Sequence, residues 1–265
     1  MIYSKYIKVS KIRKIFLLWI LFAILIFTSI NNFNKYGNLN ILTNDSIKKF
    51  TKKFGISIKY VQVTGLVNSD INKINIVTNS IYGKATIFID ISNIKDSLEE
   101  LDWVDTAEVK RVLPDKIFIK ILEKSPFALW QNDNELYLIT NNGEVITKKN
   151  IDYYKDFPLV VGPDAQKHVE KLVKLINSDL EIYKRITAST RVGMRRWNIL
   201  IDGRIKILLP EYDYLYAWQE LIRLQKTKNI LDRKISMIDF RDRNRLIIRL
   251  MPGVIDEINQ SKEMT

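Results

Sequence analysis

The sequence predicts an α+β protein in which one N-terminal transmembrane helix precedes two folded units. Residues 15–30 contain no charged side chain, which is typical of a membrane-spanning helix. Apolar residues in 56–125 are spaced for strand, helix, helix, strand and strand, in that order. Short extended segments separated by tight turns dominate residues 126–253 and indicate a second unit built on a mostly antiparallel sheet. A length of 265 residues leaves room for two modest domains.

The predicted transmembrane helix occupies residues 15–33. At 1.5 Å per residue the uncharged stretch covers roughly 24 Å, and the neutral residues up to Phe33 extend it towards the ~30 Å of a hydrocarbon core. A cleaved signal peptide is the competing interpretation, with an apolar core of about 7–15 residues followed by a small-residue cleavage site. This stretch is longer and no such site follows it, so an uncleaved anchor is favoured.

The flanks of the anchor predict its orientation. Residues 1–14 form a basic tail that carries five lysines and arginines and no acid. Because basic residues collect on the cytoplasmic side of membrane helices, we expect this tail in the cytoplasm and everything after about residue 31 in the periplasm. Residues 34–55 are polar and rich in asparagine, and we interpret them as a spacer.

Composition narrows the classes of function. The chain has no cysteine and one histidine, His168, which excludes thiolate zinc sites and cysteine nucleophiles and leaves little room for a Ser-His-Asp site. His168 lies beside the apolar stripe of a predicted helix, so a surface or boundary position is favoured over a catalytic role. The net charge of +12 suggests nucleic acid or an anionic membrane as a partner. Five of these charges belong to the N-terminal tail, so we expect no nucleic-acid partner.

The first folded unit is predicted to hold three strands and two helices. The strands are expected over 58–64, 106–113 and 116–123, and the helices over 69–80 and 93–101. The last two strands form a hairpin that turns at Pro114 and Asp115, across which Arg111 and Glu123 are placed to pair. Asn68 or Ser69 is available to cap the first helix. The expected core positions are Ile71, Ile74, Val77, Ile81, Ile94, Leu98, Leu101, Val109, Arg111, Ile117, Ile119 and Ile121.

The second unit is predicted to be a sheet with two helices. Turn signals such as Asn142-Gly143 and Asp202-Gly203 separate its strands. The later helix is expected to face the core along Tyr214, Trp218, Leu221 and Gln225, widened by Leu215 and Ile222. The strands are expected over 129–131, 136–140, 144–147, 159–161, 186–192, 197–202, 205–209, 235–241 and 245–251, and the helices over 164–177 and 214–226.

Two groups of residues resemble one protein family. The first runs from Val61-x-Val63-x-Gly65 through Trp103-Val104-x-x-Ala107-x-Val109-x-Arg111-x-x-Pro114-Asp115 to Glu123-x-x-Pro126-x-Ala128-x-Trp130. The second comprises Trp197-x-Ile199-x-Ile201-x-Gly203 and Ile238-Asp239-x-Arg241. Their joint spacing is similar to that of the bacterial cell-division family FtsQ, called DivIB in other bacteria. The resemblance implies a POTRA domain (β-α-α-β-β) over residues 56–125, an FtsQ-type β-domain over residues 126–253 and a C-terminal tail over residues 254–265.

The resemblance also implies a function in which the protein makes or breaks no covalent bond. It implies a non-enzymatic scaffold that links early and late division proteins in the inner membrane at the septum, with no catalytic residue, cofactor or metal. Its partners would be small coiled-coil proteins of the FtsB and FtsL types and other division proteins. The last strands of the β-domain bind these partners in the family, which implies a role for Arg241, Ile247, Ile248, Arg249 and Leu250.

The residues themselves also favour the last strand as a binding element. A final hairpin strand over residues 245–251 can lie at a sheet edge, where free backbone N–H and C=O groups accept another strand. Arg245 and Arg249 would protect this edge from aggregation or pair with acids on a partner. The segment contains no aromatic side chain to act as an interface anchor.

Other functions have weaker support. The close carboxylates, Glu99 with Glu100 and Asp239 with Asp242, do not predict an acid–base pair, and the glycines are isolated at turns. One alternative is a POTRA-bearing envelope export or assembly factor, against which stand the single POTRA-like unit and the N-terminal anchor. Another is a membrane-anchored envelope hydrolase, for which no residue constellation is present. A basic cluster is expected either to face solvent, which is favoured, or to meet an acidic partner: Arg191, Arg195, Arg196, Arg204 and Lys206.

Overall fold

The computed structural model describes residues 19–25 and 56–256. Residues 19–25 are helical and belong to the predicted anchor; its other residues, the basic tail and the spacer lie outside the described ranges. Within those ranges, no helix combines the length and the apolar character that crossing a bilayer requires. The expected α+β class is observed, with a C-terminal part that is rich in sheet.

Residues 56–124 follow the expected order of strand, helix, helix, strand and strand. Their three strands form one sheet in the order β1-β3-β2, and the turn between β2 and β3 contains the cis Leu113–Pro114 peptide bond. The elements are β1 (Tyr60–Thr64), α1 (Ile71–Asn79), α2 (Ile91–Glu99), β2 (Val104–Val112) and β3 (Lys116–Glu123).

The strands of this sheet bury unequal faces. On β3 the expected alternation is confirmed, and its three isoleucines at positions 117, 119 and 121 are buried. On β2 the buried residues are Val104 and Ala107, while Arg111 is exposed, so the expected inward position of Arg111 is wrong. A long charged side chain in the outer half of a strand gains more from solvent than from a small sheet's core.

The two helices place fewer residues in the core than predicted. In α1, Ile74 is buried, but Ile71 is exposed because it is the first helical residue. Leu98 is fully buried in α2. The expected cap on Asn68 or Ser69 is wrong: Asp70 precedes the helix, and its carboxylate accepts the N–H of Asn72 at 2.9 Å.

The remaining strands form a nine-stranded sheet in the order β12-β11-β10-β9-β8-β7-β4-β5-β6. Five neighbouring pairs are antiparallel and three are parallel, so the mostly antiparallel prediction is confirmed. The strands are β4 (Ala128–Asn132), β5 (Glu135–Ile139), β6 (Val145–Thr147), β7 (Leu159–Val161), β8 (Ile186–Val192), β9 (Arg196–Ile201), β10 (Ile205–Leu208), β11 (Ile235–Asp242) and β12 (Arg245–Leu250).

Between residues 126 and 253 the structure describes three α-helices where the sequence predicts two. They are α3 (Val169–Ile176), α4 (Leu180–Tyr183) and α5 (Tyr214–Lys228). The additional helix is a single turn, begun by the Asp179 carboxylate, which accepts N–H groups of Glu181 and Ile182 at 3.1 Å each. Such a short segment carries too little apolar periodicity to be predicted from sequence.

Helix α5 buries a narrower stripe than expected. Ala217, Trp218, Leu221 and Leu224 are buried in the main apolar cluster of the second part. Tyr214 and Leu215, expected to face the core, are exposed at the start of the helix. The first turn of α5 therefore leaves aromatic and apolar side chains in solvent.

The chain divides into two compact units by its internal contacts. The first takes in the chain up to Gln62 together with Thr78–Ile91 and Lys110–Phe118. The second comprises Val63–Val77, Ser92–Val109 and Ile119–Thr265. We call residues 56–62, 78–91 and 110–118 of the first unit the entry unit.

Candidate partner-binding edge

The last strand, β12, is one edge of the nine-stranded sheet. It pairs antiparallel with β11, with Ile238 opposite Ile248 and Asp239 opposite Ile247. No strand of residues 56–256 pairs with its other side. The predicted edge position of this strand is therefore observed, and four of the five predicted binding residues lie on it: Ile247, Ile248, Arg249 and Leu250.

The backbone of β12 points its N–H groups alternately towards and away from β11, as in any antiparallel pair. The N–H of Met251 donates to the carbonyl of Lys234, on the β11 side, at 3.0 Å. The irregular steps of this pair insert their extra residues in β11 and leave β12 regular. Counting back by twos, Ile247 directs its N–H towards β11, and Ile248 directs its N–H away from the sheet. The outward groups are those that an added strand can bind.

All six residues of β12 are exposed, and four of them have large apolar side chains. Apolar side chains are uncommon on an unprotected edge strand, because they invite other strands to pair. Arg245 begins this strand and Arg249 interrupts its apolar run. The exposed apolar side chains are Leu246, Ile247, Ile248 and Leu250.

A cleft of about 530 Å³ lies between the start of α5 and the β11–β12 hairpin. Its apolar wall is made by Tyr212, Tyr216, Phe240 and Leu246. Leu246 brings β12 into the cleft, and side chains two and four positions along the strand lie on the same face. The cleft and the apolar edge therefore form a continuous surface. The other lining residues are Pro210, Asp213, Ala217, Glu220, Asp242, Arg243, Asn244 and Arg245.

Tyr212 and Tyr216 supply the aromatic side chains that the last strand lacks. They are 76% and 70% exposed and line the cleft beside β12, and exposed aromatic side chains are typical of the residues that contribute most to protein interfaces. The sequence pattern did not reveal them, because it predicts that the start of this helix faces the core. The signal that could have found them is the run of three tyrosines at alternate positions, 212, 214 and 216, which no single helical stripe can bury.

The hairpin turn is tied to the start of α5 by an ion pair. Arg243, in the turn between β11 and β12, contacts the carboxylate of Asp213, the residue before α5. Asp213 has a positive φ of 59° and makes no side-chain cap for the helix, so its carboxylate is available to Arg243. This contact joins the two walls of the cleft.

Arg241, the fifth predicted binding residue, is engaged within the protein. Its Nε and Nη2 donate to the Asp239 carboxylate at 2.8 and 2.6 Å. Asp239 is buried, and the hydrogen bonds from Arg241 outweigh burial and hold the pKa of that carboxyl below its ordinary value of 3.8. The same pair raises the pKa of Arg241. Arg241 therefore has a structural task, and its side chain remains partly exposed at the hairpin.

The predicted basic cluster does not form a free patch. Arg191 is almost buried: its Nε donates to Asp164 at 2.9 Å, and its guanidinium lies 5.3 Å from the Trp197 ring centroid. Arg204 donates to the carbonyl of Leu231 at 2.7 Å. Two of the five cations, Arg191 and Arg204, therefore form bonds within the protein that connect loops and strands.

The remaining candidate groups also have structural surroundings. His168 Nε2 lies 3.6 Å from the Asp164 carboxylate, and burial with the charge of Arg191 lowers the pKa of the imidazole below 6.5. Glu99 accepts the N–H of Ala107 at 2.8 Å, which occupies one of the close carboxylates. Within residues 19–25 and 56–256, no group of three or more acidic or histidine side chains is placed to hold a metal ion.

Comparison with known proteins gives separate matches for the first three-stranded part and for the second, sheet-rich part of the chain. Residues 56–124 match the FtsQ-type POTRA domain, and residues 128–241 match the C-terminal domain of cell division protein FtsQ/DivIB. The chain is similar to cell division protein FtsQ of Rickettsia prowazekii, with 31% identity over 209 residues that cover 79% of this chain and 77% of that protein. The chain belongs to the FtsQ/DivIB family.

Two further FtsQ proteins show similar agreement. The one from Rickettsia felis is 29% identical over 242 residues, covering 91% of this chain and 90% of that protein. The one from Agrobacterium fabrum is 29% identical over 222 residues, covering 83% of this chain and 68% of that protein. The resemblance drawn from the motifs is therefore confirmed, and FtsQ/DivIB membership gives the chain a role in cell division. Strand β12 lies beyond the matched residues 128–241.

The FtsQ-type motif residues of the first part have identifiable structural roles. The expected Arg111–Glu123 pair is wrong. Glu123 Oε1 accepts backbone N–H groups of Val67 at 2.9 Å and Ser69 at 2.8 Å, and so closes the loop after β1. Arg111 instead donates to the Ile89 carbonyl. The loop at residues 67–69 offers four N–H donors, and these need an acceptor more than the exposed guanidinium of Arg111 does. The Glu123 carboxylate therefore bonds to the loop.

Proposed function

We propose that the chain is a non-enzymatic scaffold of the division complex, with its POTRA domain (residues 56–125) and β-domain (residues 126–253) in the periplasm. Residues 15–33 would anchor it in the inner membrane, with residues 1–14 in the cytoplasm. It would act at the septum and link early and late division proteins. The uncharged sequence of residues 15–30 and the family membership support this arrangement.

The partners we propose are coiled-coil division proteins of the FtsB and FtsL types, bound by strand addition to β12. The observation that carries this proposal is an edge strand with four exposed apolar side chains beside an aromatic cleft. Added backbone hydrogen bonds would supply affinity, and side chains entering the cleft would supply specificity. Ile247, Ile248, Arg249 and Leu250 would contact the added strand directly.

Arg241 would act mainly by positioning the hairpin, since it is already bonded to Asp239. A hydrolase receives no support from the described residues, because Glu99 and Asp239 have backbone or arginine partners instead of facing a shared substrate cavity. The FtsQ-type match of the single POTRA domain favours the division scaffold over an export or assembly factor.

A proline scan of the sheet edges tests the proposal on the full chain in detergent. Ile248→Pro removes an outward N–H, and we expect FtsB- and FtsL-type proteins to bind at least tenfold more weakly, a change of about 1.4 kcal/mol. Val145→Pro, on the opposite edge strand β6, is the matched control and should bind normally. Equal binding by Ile248→Pro and the parent would remove the edge-strand mode. Absence of binding by the folded parent would remove the partner assignment.

A further inference from the structure

The entry unit carries an exposed apolar rim. Phe88 and Leu113 are 69% and 62% exposed, and Ile87 and Val112 beside them are exposed as well. We call these four residues the apolar rim. Ile87 and Phe88 lie in the turn at residues 86–88, Val112 ends β2, and Leu113 begins the turn at residues 113–115. Exposed apolar side chains that lie close together on a surface are typical of an interaction site.

Backbone hydrogen bonds join the two turns to residues 56–59. The N–H of Thr86 donates to the Ile56 carbonyl at 2.9 Å, and the N–H of Lys59 donates to the Asp115 carbonyl at 2.8 Å. Arg111, the residue before Val112, donates to the carbonyl of Ile89, the residue after Phe88, and so joins the segments next to the two turns. Both turns are therefore hydrogen-bonded to residues 56–59, which directly follow residues 31–55 in the sequence.

Basic side chains outnumber acidic ones in the entry unit. The entry unit contains five of them and two acids, whereas the rest of residues 63–124 contains four bases and eight acids. One of the two acids, Asp115, is paired with Lys59 at 3.5 Å. Apolar and basic side chains together favour an anionic lipid surface over water or an acidic but polar partner. The basic residues are Lys59, Lys84, Lys110, Arg111 and Lys116.

The sequence places a bilayer within reach of this rim. Residues 31–55 separate the uncharged stretch, residues 15–30, from Ile56, and 25 residues span at most about 90 Å when fully extended. The entry unit contains the first residues after that stretch that the structure describes. A bilayer that holds residues 15–30 is thus the nearest large surface available to it.

We propose that the apolar rim and the basic side chains of the entry unit dock this unit on an anionic lipid bilayer. This inference rests on the membrane anchor of the proposed function. Ile87, Phe88, Val112 and Leu113 would enter the headgroup region, and the lysines of the entry unit and Arg111 would bind lipid phosphates. Docking would fix the direction in which the first domain stands on the membrane.

Site-directed fluorescence quenching tests this docking on the full chain reconstituted in lipid nanodiscs. The chain has no cysteine, so Phe88→Cys, Leu113→Cys, Val67→Cys and Phe22→Cys each give a single labelling site. Nanodiscs contain phosphatidylglycerol or only phosphatidylcholine, together with a spin-labelled lipid that quenches at short range. Val67, 86% exposed and outside the entry unit, is the matched control, and Phe22 reports the anchor.

We expect labels at positions 88 and 113 to be quenched several-fold more strongly than the label at position 67, and only with phosphatidylglycerol. Quenching at 22 without quenching at 88 and 113 would overturn the docking and leave the anchor standing. Failure at all three positions would overturn both. Quenching at 88 and 113 but not at 22 would support docking and remove the anchor. Equal quenching in neutral nanodiscs would overturn the assignment to anionic lipid.

Discussion

Arg241 grips both carboxylate oxygens of Asp239, with Nε at 2.8 Å from Oδ1 and Nη2 at 2.6 Å from Oδ2. Asp239 is 5% exposed, so its charge depends on this partner. Both residues lie on β11, next to the proposed binding strand. A residue predicted as a contact for partners is therefore also part of the support for the strand that we propose to bind them.

We predict that Arg241→Ala lowers the free energy of unfolding by about 1–3 kcal/mol, because it leaves Asp239 buried without its cation. Denaturant unfolding of the full chain in detergent, monitored by tryptophan fluorescence, measures this change. Adding Asp239→Asn should recover part of the loss, since the buried charge is then gone. Normal stability of Arg241→Ala with lost partner binding would show that Arg241 acts only as a contact.

The Glu123 carboxylate predicts acid sensitivity of the first domain. Burial raises the pKa of Glu123, but hydrogen bonds from the backbone N–H groups of Val67, Asn68 and Ser69 outweigh it and lower that pKa below 4.5. A carboxyl whose pKa is lowered by folding stabilises the protein above its unfolded pKa, and this stability is lost as pH falls through the folded pKa. Glu123→Gln should therefore lose stability at neutral pH and show a flatter decline below pH 4.5.

Thermal unfolding of the parent and of Glu123→Gln across this acid range measures the difference. Glu100→Gln is a suitable control, because Glu100 is an exposed carboxyl in the same domain. Parallel pH profiles for Glu123→Gln and the parent would show that the loop does not depend on the ionised carboxylate.

Gly65 in the FtsQ-type motif is predicted to tolerate no side chain. Its φ is +89°, and a Cβ there would collide with the carbonyl oxygen of Ile121 in β3. Gly65→Ala should cost about 2 kcal/mol or more, combining left-handed strain with the backbone clash. Gly83→Ala isolates the first effect, because Gly83 has φ +73° with nothing near a Cβ, and should cost about 1 kcal/mol. Equal losses in chemical denaturation would contradict the clash.

Tyr216 is predicted to anchor a bound partner. Because it lines the cleft and is exposed, Tyr216→Ala should weaken binding of FtsB- and FtsL-type proteins about tenfold or more with little change in stability. Tyr153→Ala is the matched control, since Tyr153 is 85% exposed and lies away from β12 in the sequence. Isothermal titration of the full-length variants compares them. Equal binding by the Tyr216 and Tyr153 variants would remove the anchor.

Local pattern was enough to predict most of the elements. Period-two spacing in β3 and turn signals such as Asn142-Gly143 act over a few residues, so their structural result can be read without knowing what lies nearby. The predictions were wrong where contacts between residues distant in sequence determined the position of a side chain. Glu123 turned to the loop at residues 67–69, and Tyr214 and Leu215 stayed in solvent because the buried stripe of α5 begins only at Ala217.

The candidate site shows the same division. The exposed strand β12 was predicted because a final hairpin strand tends to lie at an edge, and its apolar residues are contiguous in sequence. The cleft was not predicted, since Tyr216, Phe240 and Leu246 come from three separate elements that only folding brings together. The engagement of Arg241 with Asp239 was also missed, because spacing of two residues does not reveal which side chain is buried.

The α+β class, the family and the position of the last strand can be predicted from the sequence, because short-range periodicity, turn chemistry and motif spacing can be read along the chain. The folded structure was needed to show which groups have internal partners and which surfaces remain open. In that structure Arg191, Arg241 and Glu123 form internal ion pairs or hydrogen bonds, whereas the aromatic cleft and the apolar rim are exposed. Burial and pairing depend on residues distant in sequence, so they are settled only when the chain has folded.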